Sequence, residues 1–337
     1  MEVSPIIKEK APLILAEIQK AKSVLLHCHP SPDPDSVGST LAMKAALEQM
    51  GKKATVIKGD SEIPDGFMHF PGADQIVQNN FFEMDLKDFD LFIILDTGSP
   101  TQISRVRPID LPFPIRSVII DHHASNAGFA DINLIEASSP AVCQILFELF
   151  GIWGVKITPE IASNLFIGIY TDTGGFKYSL TTQRSFAIAA DLLQYIPDFP
   201  KLISDMENSN TLADLSFKAL ALESVEVFGG GKIGLAVVSN EALKAKNIPL
   251  DKINTASVTY ELRTVSAWAV SGILTEIEPG KIKMNFRSKD GDRYDVSKLA
   301  VAMNGGGHKA ASGATMSGTL EEIKTKVVAK AKELYNL

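Results

Sequence analysis

Cysteine is nearly absent from this chain of 337 residues. The two present, Cys28 and Cys143, form no C-x-x-C pair and are too few for a disulfide framework, so a reduced, cytoplasmic setting is expected. Long apolar runs are missing as well. The opening segment MEVSPIIKEKAPLILAEIQKAKSV mixes charges into its apolar positions at helical spacing and falls short of the roughly 20 apolar residues that span a bilayer. Neither a signal peptide nor a membrane anchor is expected. Positive charge is in deficit, with a net charge of −7, which argues against coating long nucleic acid, since that needs a surplus of Lys and Arg facing phosphates. An anionic substrate would have to be attracted locally. There is no internal repeat and no low-complexity tract.

What is present is ordinary globular material. Hydrophobic residues make up 45% and charged residues 22%, enough to bury a proper core, and the length favours two cores over one. Residues 23–27 (SVLLH) and 53–57 (KATVI) read as strands flanking a helix over 37–50. The near-continuous apolar runs at 90–95 (DLFIIL) and 115–120 (IRSVII) read as strands buried on both faces of a mostly parallel sheet. The expected fold is α/β, with an N-terminal doubly wound domain over 1–195. Helices follow at 160–170, 182–195 and 212–227, and the stretch 196–224, which opens with prolines and polar residues, is expected to be a helical linker. A Gly-rich turn at 229–231, strands near 234–239, 266–275 and 282–287, and helices near 251–262 and 297–303 then make a smaller α/β domain over 225–337.

Ligands of open α/β sheets gather at the carboxyl ends of the strands, and the chemistry-bearing residues fall there. After VLLH comes C-H-P-S-P-D-P-D; after LFIIL comes Asp96-Thr97-Gly98; after SVII comes Asp121-His122-His123; after the helix NLFIGIY comes Thr171-Asp172-Thr173-Gly174-Gly175. His27, His29, His122, His123 and His308 all lie in such stretches, which leaves only His69 elsewhere. Each motif alone has a plain reading: Asp96-Thr97-Gly98 as a turn with an Asx cap, His27 as a packed residue behind the loop. Together they do not, because carboxylates gathered at neutral pH repel one another and lose hydration unless cations neutralise them. Two divalent ions balance four such charges. Oxygen and imidazole ligands without thiolates suit Mn²⁺, with Mg²⁺, Co²⁺ or Fe²⁺ as alternatives. A pair of ions roughly 3.5–4 Å apart would polarise a phosphoryl group and activate a hydroxide for phosphoester hydrolysis.

In this order and spacing the motifs His29-x-x-x-Asp33-x-Asp35, Asp96-Thr97-Gly98, Asp121-His122-His123 and Thr171-Asp172-Thr173-Gly174 resemble the DHH phosphoesterase superfamily. Gly305-Gly306-Gly307-His308-Lys309-Ala310-Ala311-Ser312-Gly313 is similar to the signature of its C-terminal associated domain. The resemblance implies that His29 and Asp33 bind a first ion, that Asp35, His122 and Asp172 bind a second, and that Asp96 bridges both. It further implies that Asp121 orients the histidines while His123 faces the phosphate. One departure is Pro34 between the first two acids, where the family usually has glycine; proline pushes Asp33 toward extended backbone.

In the second domain, Gly305, Gly306, Gly307 and His308 read as a place where bare backbone N–H groups receive phosphate or a nucleotide edge, although Gly305 would also serve as a helix cap after VSKLAVAMN. Arg263 and Arg287 are further expected substrate contacts. Within the superfamily the chain is most similar to the branch that cleaves very short RNA (nanoRNA) and 3′-phosphoadenosine 5′-phosphate. The alternative is a phosphodiesterase of linear or cyclic dinucleotides such as pApA or c-di-AMP; exopolyphosphatase, pyrophosphatase and a non-catalytic nucleotide sensor rank lower. The expected partner is a short RNA or nucleotide, with a homodimer as a further expectation.

Overall fold

Apolar runs too short for helices and flanked by turn residues become strands in the computed structural model, which describes residues 3–208 and 211–337. The chain divides into two compact units, Met1–Ser209 and Asn210–Leu337. The first contains α1 (Pro5–Lys20), β1 (Ser23–His27), α2 (Pro34–Gln49), β2 (Lys53–Ile57), β3 (Leu91–Leu95), β4 (Arg116–Asp121), β5 (Ile132–Ile135), α3 (Val142–Trp153), α4 (Pro159–Asp172), α5 (Gln183–Leu193) and α6 (Phe199–Glu207). Its sheet runs β2-β1-β3-β4-β5, with every pairing parallel.

Alternation along the central strands sorts two cores. Val24, Leu26, Ile93, Leu95, Val118 and Ile120 face the side packed by helices α1 to α4. Leu25, Phe92, Ile94 and Ile119 face the other side, which is covered by short 3-10 turns and loops carrying Phe81, Phe89, Ile103 and Phe113. β5 was not foreseen, because its four residues INLI lie among polar loops. In this strand order the chain reverses direction across the sheet between β1 and β3, and the crevice at such a switch point is where α/β sheets bind ligands.

Helices α2 and α4 approach backbone to backbone. A Cβ added at Gly38 would stand 2.5 Å from the Asn164 carbonyl oxygen, and one at Gly168 would stand 2.3 Å from Cys143 Sγ and 2.6 Å from Asp35 Oδ1. This contact brings the first turn of α2, with Asp33 and Asp35, beside the last turn of α4, with Asp172. The overpacking expected of Gly38→Ala costs about 1–3 kcal/mol, so thermal unfolding should show its melting temperature lower by several degrees; an unchanged melting temperature would mean that the helices part freely.

The second unit comprises α7 (Leu212–Glu223), β6 (Val225–Phe228), β7 (Ile233–Val238), α8 (Asn240–Ala245), α9 (Thr255–Thr264), β8 (Val270–Glu278), β9 (Lys281–Ser288), α10 (Val296–Ala302), β10 (Gly306–His308), β11 (Ala311–Ser317) and α11 (Leu320–Tyr335). Its sheet runs β10-β11-β9-β8-β7-β6, antiparallel except for β7 with β8. The helix expected over 212–227 stops at Glu223, and V-E-V-F becomes β6 against β7. Its β-branched alternation suits a sheet edge better than a fourth helical turn. The stretch 196–224 holds two helices: α6 contributes Leu202, Ile203 and Met206 to the first unit's core, while α7 contributes Phe217 and Ala221 to a core with Val258 and Ile273.

Candidate metal centre

Each acid and imidazole of the site is fixed by the element that ends beside it. Asp33 is the N-cap of α2, accepting the Ser36 N–H at 2.9 Å. Its backbone is extended (φ −107°, ψ 177°) with Pro34 at the first helical position, where proline is favoured. The departure at position 34 is thus absorbed by the cap. Asp35, fully buried, accepts the N–H groups of Val142 (2.7 Å) and Cys143 (3.0 Å) at the start of α3, the helix end that welcomes an anion. Asp172 is the last residue of α4, the end that repels one.

Asp96 follows β3 with φ +51°, a left-handed backbone that Asp and Asn tolerate better than most residues. His29 and His122 converge on it. His29 Nε2 stands 3.3 Å from Asp96 Oδ2 and 3.6 Å from Asp33 Oδ2; His122 Nε2 stands 3.4 Å from Asp96 Oδ1 and 3.5 Å from Asp172 Oδ2. On the far side of each ring Nδ1 meets a carbonyl at 3.3 Å, Pro30 for His29 and Ser139 for His122. A carbonyl only accepts, so Nδ1 carries the hydrogen and Nε2 is left for a proton or a cation.

Three sets of ligand atoms lie within 4.8 Å of one another: His29, Asp33 and Asp96; Asp35, His122 and Asp172; and Asp96, His122 and His123. Asp96 Oδ1 is buried and accepts no hydrogen bond among the described residues; the His122 contact does not reach hydrogen-bond geometry. A buried carboxylate oxygen with nothing donating to it, among three more carboxylates, fits divalent cations held by oxygen and imidazole.

The electrostatics agree. Burial and the Asp96 charge push Asp35 up to about 7. Burial, with the charges of Asp35, Asp33 and Asp96, pushes Asp172 well up. For the histidines burial works against the charged form, yet Asp33 and Asp96 hold His29 up at about 11, and Asp96, Asp35 and Asp172 hold His122 up at about 10. Burial also opposes the Asp96 charge, but His122 and His29 keep its pKa well below the usual carboxylate range. Without cations the cluster balances itself with protons.

Asp121 stands behind this cluster. Its Oδ1 lies 2.7 Å from His123 Nδ1 and its Oδ2 accepts the Asn126 amide at 2.7 Å; Asn126 also donates to the Thr97 carbonyl at 3.1 Å, tying the loops after β3 and β4 together. Asn126 and the Ser139 carbonyl were missed in the sequence: an Asn five residues past a motif looks like turn material, and a carbonyl has no letter. His27 stays outside the cluster, buried against Phe92 at 5.5 Å between ring centroids, with burial pushing its pKa down to about 4.

In the second unit, pairing registers place His308 opposite Ala311, Ala311 opposite Arg287, and Arg287 opposite Ser271. Residues in one such row share a face, so Arg287 and His308 point to the same side of the sheet. Two residues along, Ile273 faces that side too and packs with Val258 and Leu262 of α9, the helix that carries Arg263. Gly306 and Gly307 belong to β10 rather than to a helix stop, and the left-handed cap after α10 is Asn304 (φ +60°), not Gly305. Asparagine takes that position readily, which frees Gly305 for close packing: a Cβ there would stand 2.1 Å from the Gly313 carbonyl oxygen, whereas one at Gly306 would meet open space. Asn285, also on this face, has a buried side-chain oxygen with no donor among the described residues.

Because His29 and His122 hold protons at neutral pH and those protons must leave before a cation can bind, titrating Mn²⁺ into the ion-free protein should release protons. Apparent affinity should rise with pH between about 6 and 8. Calorimetry in two buffers of different ionisation enthalpy measures this directly; equal heats in both would remove the histidines from the ligand set.

The family model described as "DHH family, N-terminal domain" matches residues 23–169. A probable bifunctional oligoribonuclease and PAP phosphatase of Streptococcus mutans is 29% identical over 89% of this chain and 92% of its own length. The bifunctional oligoribonuclease and PAP phosphatase of Thermus thermophilus is 27% identical over 95% and 93%. In structure, an exopolyphosphatase-related protein from Bacteroides fragilis superposes with a TM-score of 0.88 over 98% of both chains at 22% identity, a likeness of fold. Among the described residues no helix is long and apolar enough to cross a membrane. The span matched by the DHH-family model holds His29, Asp33, Asp35, Asp96, His122 and His123 of the candidate ligand sets, with Asp121 directly behind them.

Proposed function

We propose that the protein is a metal-dependent phosphoesterase that hydrolyses very short oligoribonucleotides and 3′-phosphoadenosine 5′-phosphate. The observation that carries this reading is the pair of ligand sets joined by Asp96, whose two oxygens face different histidines. We assign His29 and Asp33 to one ion, Asp35, His122 and Asp172 to a second, and Asp96 to both. Mn²⁺ is the favoured metal, given oxygen and imidazole donors without thiolate. When bound, two such ions supply Lewis acidity at the phosphoryl group and a nucleophile at neutral pH.

The chain's own residues do the rest. The carbonyls of Pro30 and Ser139 hold the His29 and His122 rings with Nε2 inward. Asp121 and Asn126 hold His123, which stays partly exposed and lies next to Asp96; there it donates to the charge that develops on the phosphate. Arg263, Arg287 and Gly305 to His308 serve substrate recognition. Charge distribution supports a short substrate. Residues 1–209 carry 16 Lys and Arg against 26 Asp and Glu, while residues 210–337 carry 17 against 14, so a long polyanion finds no counter-charge over the first unit. The names borne by the Streptococcus mutans and Thermus thermophilus relatives support the same substrates.

Asp96→Asn keeps a side chain that tolerates left-handed backbone but removes the shared charge. Circular dichroism should match wild type while turnover falls by at least about a thousandfold. His123→Ala should lower kcat and leave Mn²⁺ affinity within a few-fold; a lost calorimetric Mn²⁺ signal would make it a ligand instead.

A panel of 3′-phosphoadenosine 5′-phosphate, pApA, c-di-AMP, RNA of two to five nucleotides, a 20-mer and pyrophosphate, with Mn²⁺, tests the substrate class. Di- to pentanucleotides should be cut far faster than the 20-mer. Arg287→Ala should lower kcat/KM for short RNA by about 10–100-fold, the worth of a charged hydrogen bond. Equal digestion of long and short RNA would defeat the reading.

A further inference from the structure

The turn that follows Asp172 is built at a steric cost. Gly174, Gly175 and Phe176 have φ of +60°, +66° and +63°, three left-handed residues in succession. The two glycines adopt this conformation freely, but Phe176 does not, and a bulky side chain there is an outlier held by its surroundings. The holding contacts are visible. The Phe176 N–H donates to Thr173 Oγ1 at 3.0 Å, and the N–H groups of Lys177 and Tyr178 both donate to the Thr173 carbonyl at 2.8 and 2.9 Å. Thr173 itself is fully buried, with its hydroxyl donating to the Ile169 carbonyl at 2.7 Å. The turn folds back on the end of α4 and aims one ring.

That ring completes a ladder of four. Phe166, in the core, stacks on Tyr170 (centroids 6.0 Å apart, planes 19°); Tyr170 meets Phe176 edge to face (6.0 Å, 74°); Phe176 stacks on Phe186 of α5 (4.8 Å, 26°). Exposure rises along it, from 3% at Phe166 to 55% at Phe186. The last ring therefore has one face on Phe176 and the other in water. Tyr178 and Leu180, between this turn and α5 in the sequence, are also exposed, at 37% and 47%. Tyr170 precedes Asp172 by two residues and Phe176 follows it by four, so the ladder is rooted on both sides of a carboxylate of the candidate metal centre.

An exposed flat ring at the end of a stack that passes through Tyr170 and Phe176, either side of Asp172 in the sequence, offers what a nucleobase needs: a π-face that accepts any base. We propose that Phe186 is a stacking platform for a nucleobase of the substrate, positioned by Phe176 and Tyr170, so that base binding helps to hold the adjoining phosphate at the metal centre. This rests on the short-RNA reading. Stacking tolerates every base, which matches a substrate defined by length rather than sequence. The strain at Phe176 is then explained as the cost of aiming the ladder.

The test compares a dinucleotide with its abasic counterpart, which keeps the ribose and phosphates but lacks the base that would stack. In wild type the ratio of their kcat/KM values reports the stack. Phe186→Ala should lower that ratio by about 5–150-fold, mostly through KM, the loss expected of one base–aromatic contact. Phe186→Trp should restore it. Because Phe186 is exposed, Phe186→Ala should fold normally, with an unchanged circular dichroism spectrum. An unchanged ratio in Phe186→Ala, with wild type still cutting short RNA, overturns the platform alone; a wild type that cuts no short RNA overturns the reading beneath it as well. An unchanged ratio together with a shift from dimer to monomer in light scattering would assign the ring to contact with a second copy of the chain, and also overturns the proposal.

Discussion

Four carboxylates meet at the edge of one sheet among the imidazoles of His29, His122 and His123, and the rest of the first unit is arranged around that concentration of negative charge. Asp35 is held by the N–H groups opening α3 and Asp33 by its own cap. Asp172, at the wrong end of a helix dipole, is pushed well up by burial and the charges of Asp35, Asp33 and Asp96, and burial with the Asp96 charge pushes Asp35 up to about 7. The imbalance cannot relax by moving apart, because Gly38 and Gly168 let the helices that carry these acids touch at backbone distance. Charge and packing thus act against each other, a conflict that protons ease and that divalent cations, if held there as proposed, would resolve.

The second unit answers a different demand. Its mixed sheet places an arginine and a histidine in one row, His308 and Arg287 on either side of Ala311, with α9 packed along the same face. Strand pairing fixes their spacing without any loop having to be rigid. The glycines before His308 contribute unequally, since Gly305 is committed to packing against β11 whereas a side chain at Gly306 would meet open space.

Much of this was legible in the sequence where local pattern and global role coincide. β1 and β2 span the residues 23–27 and 53–57 that the sequence pattern picks out, and the motif residues at strand ends gather because a parallel sheet with this order delivers them to one edge. Legibility failed where the determinant is not carried by the letter itself. Residues 225–228 satisfy both a helix and a strand, and only pairing with β7 decides. Gly305 looked like a helix cap because nothing local tells it from Asn304. The carbonyl of Ser139 and the amide of Asn126, which set two histidines, become meaningful only once folding brings them within hydrogen-bond distance.

The left-handed backbone at Asp96 restricts what this position can become. Glutamate keeps the charge but suits φ +51° poorly and reaches one methylene too far; asparagine and glycine suit the backbone but carry no charge. No single substitution supplies conformation, reach and charge together, so position 96 has no gradual route to a different donor. Under the proposed ligand assignment, a change of metal preference would then have to arise at the ends of α2 and α4, at Asp33, Asp35 or Asp172, and not at the residue at their centre.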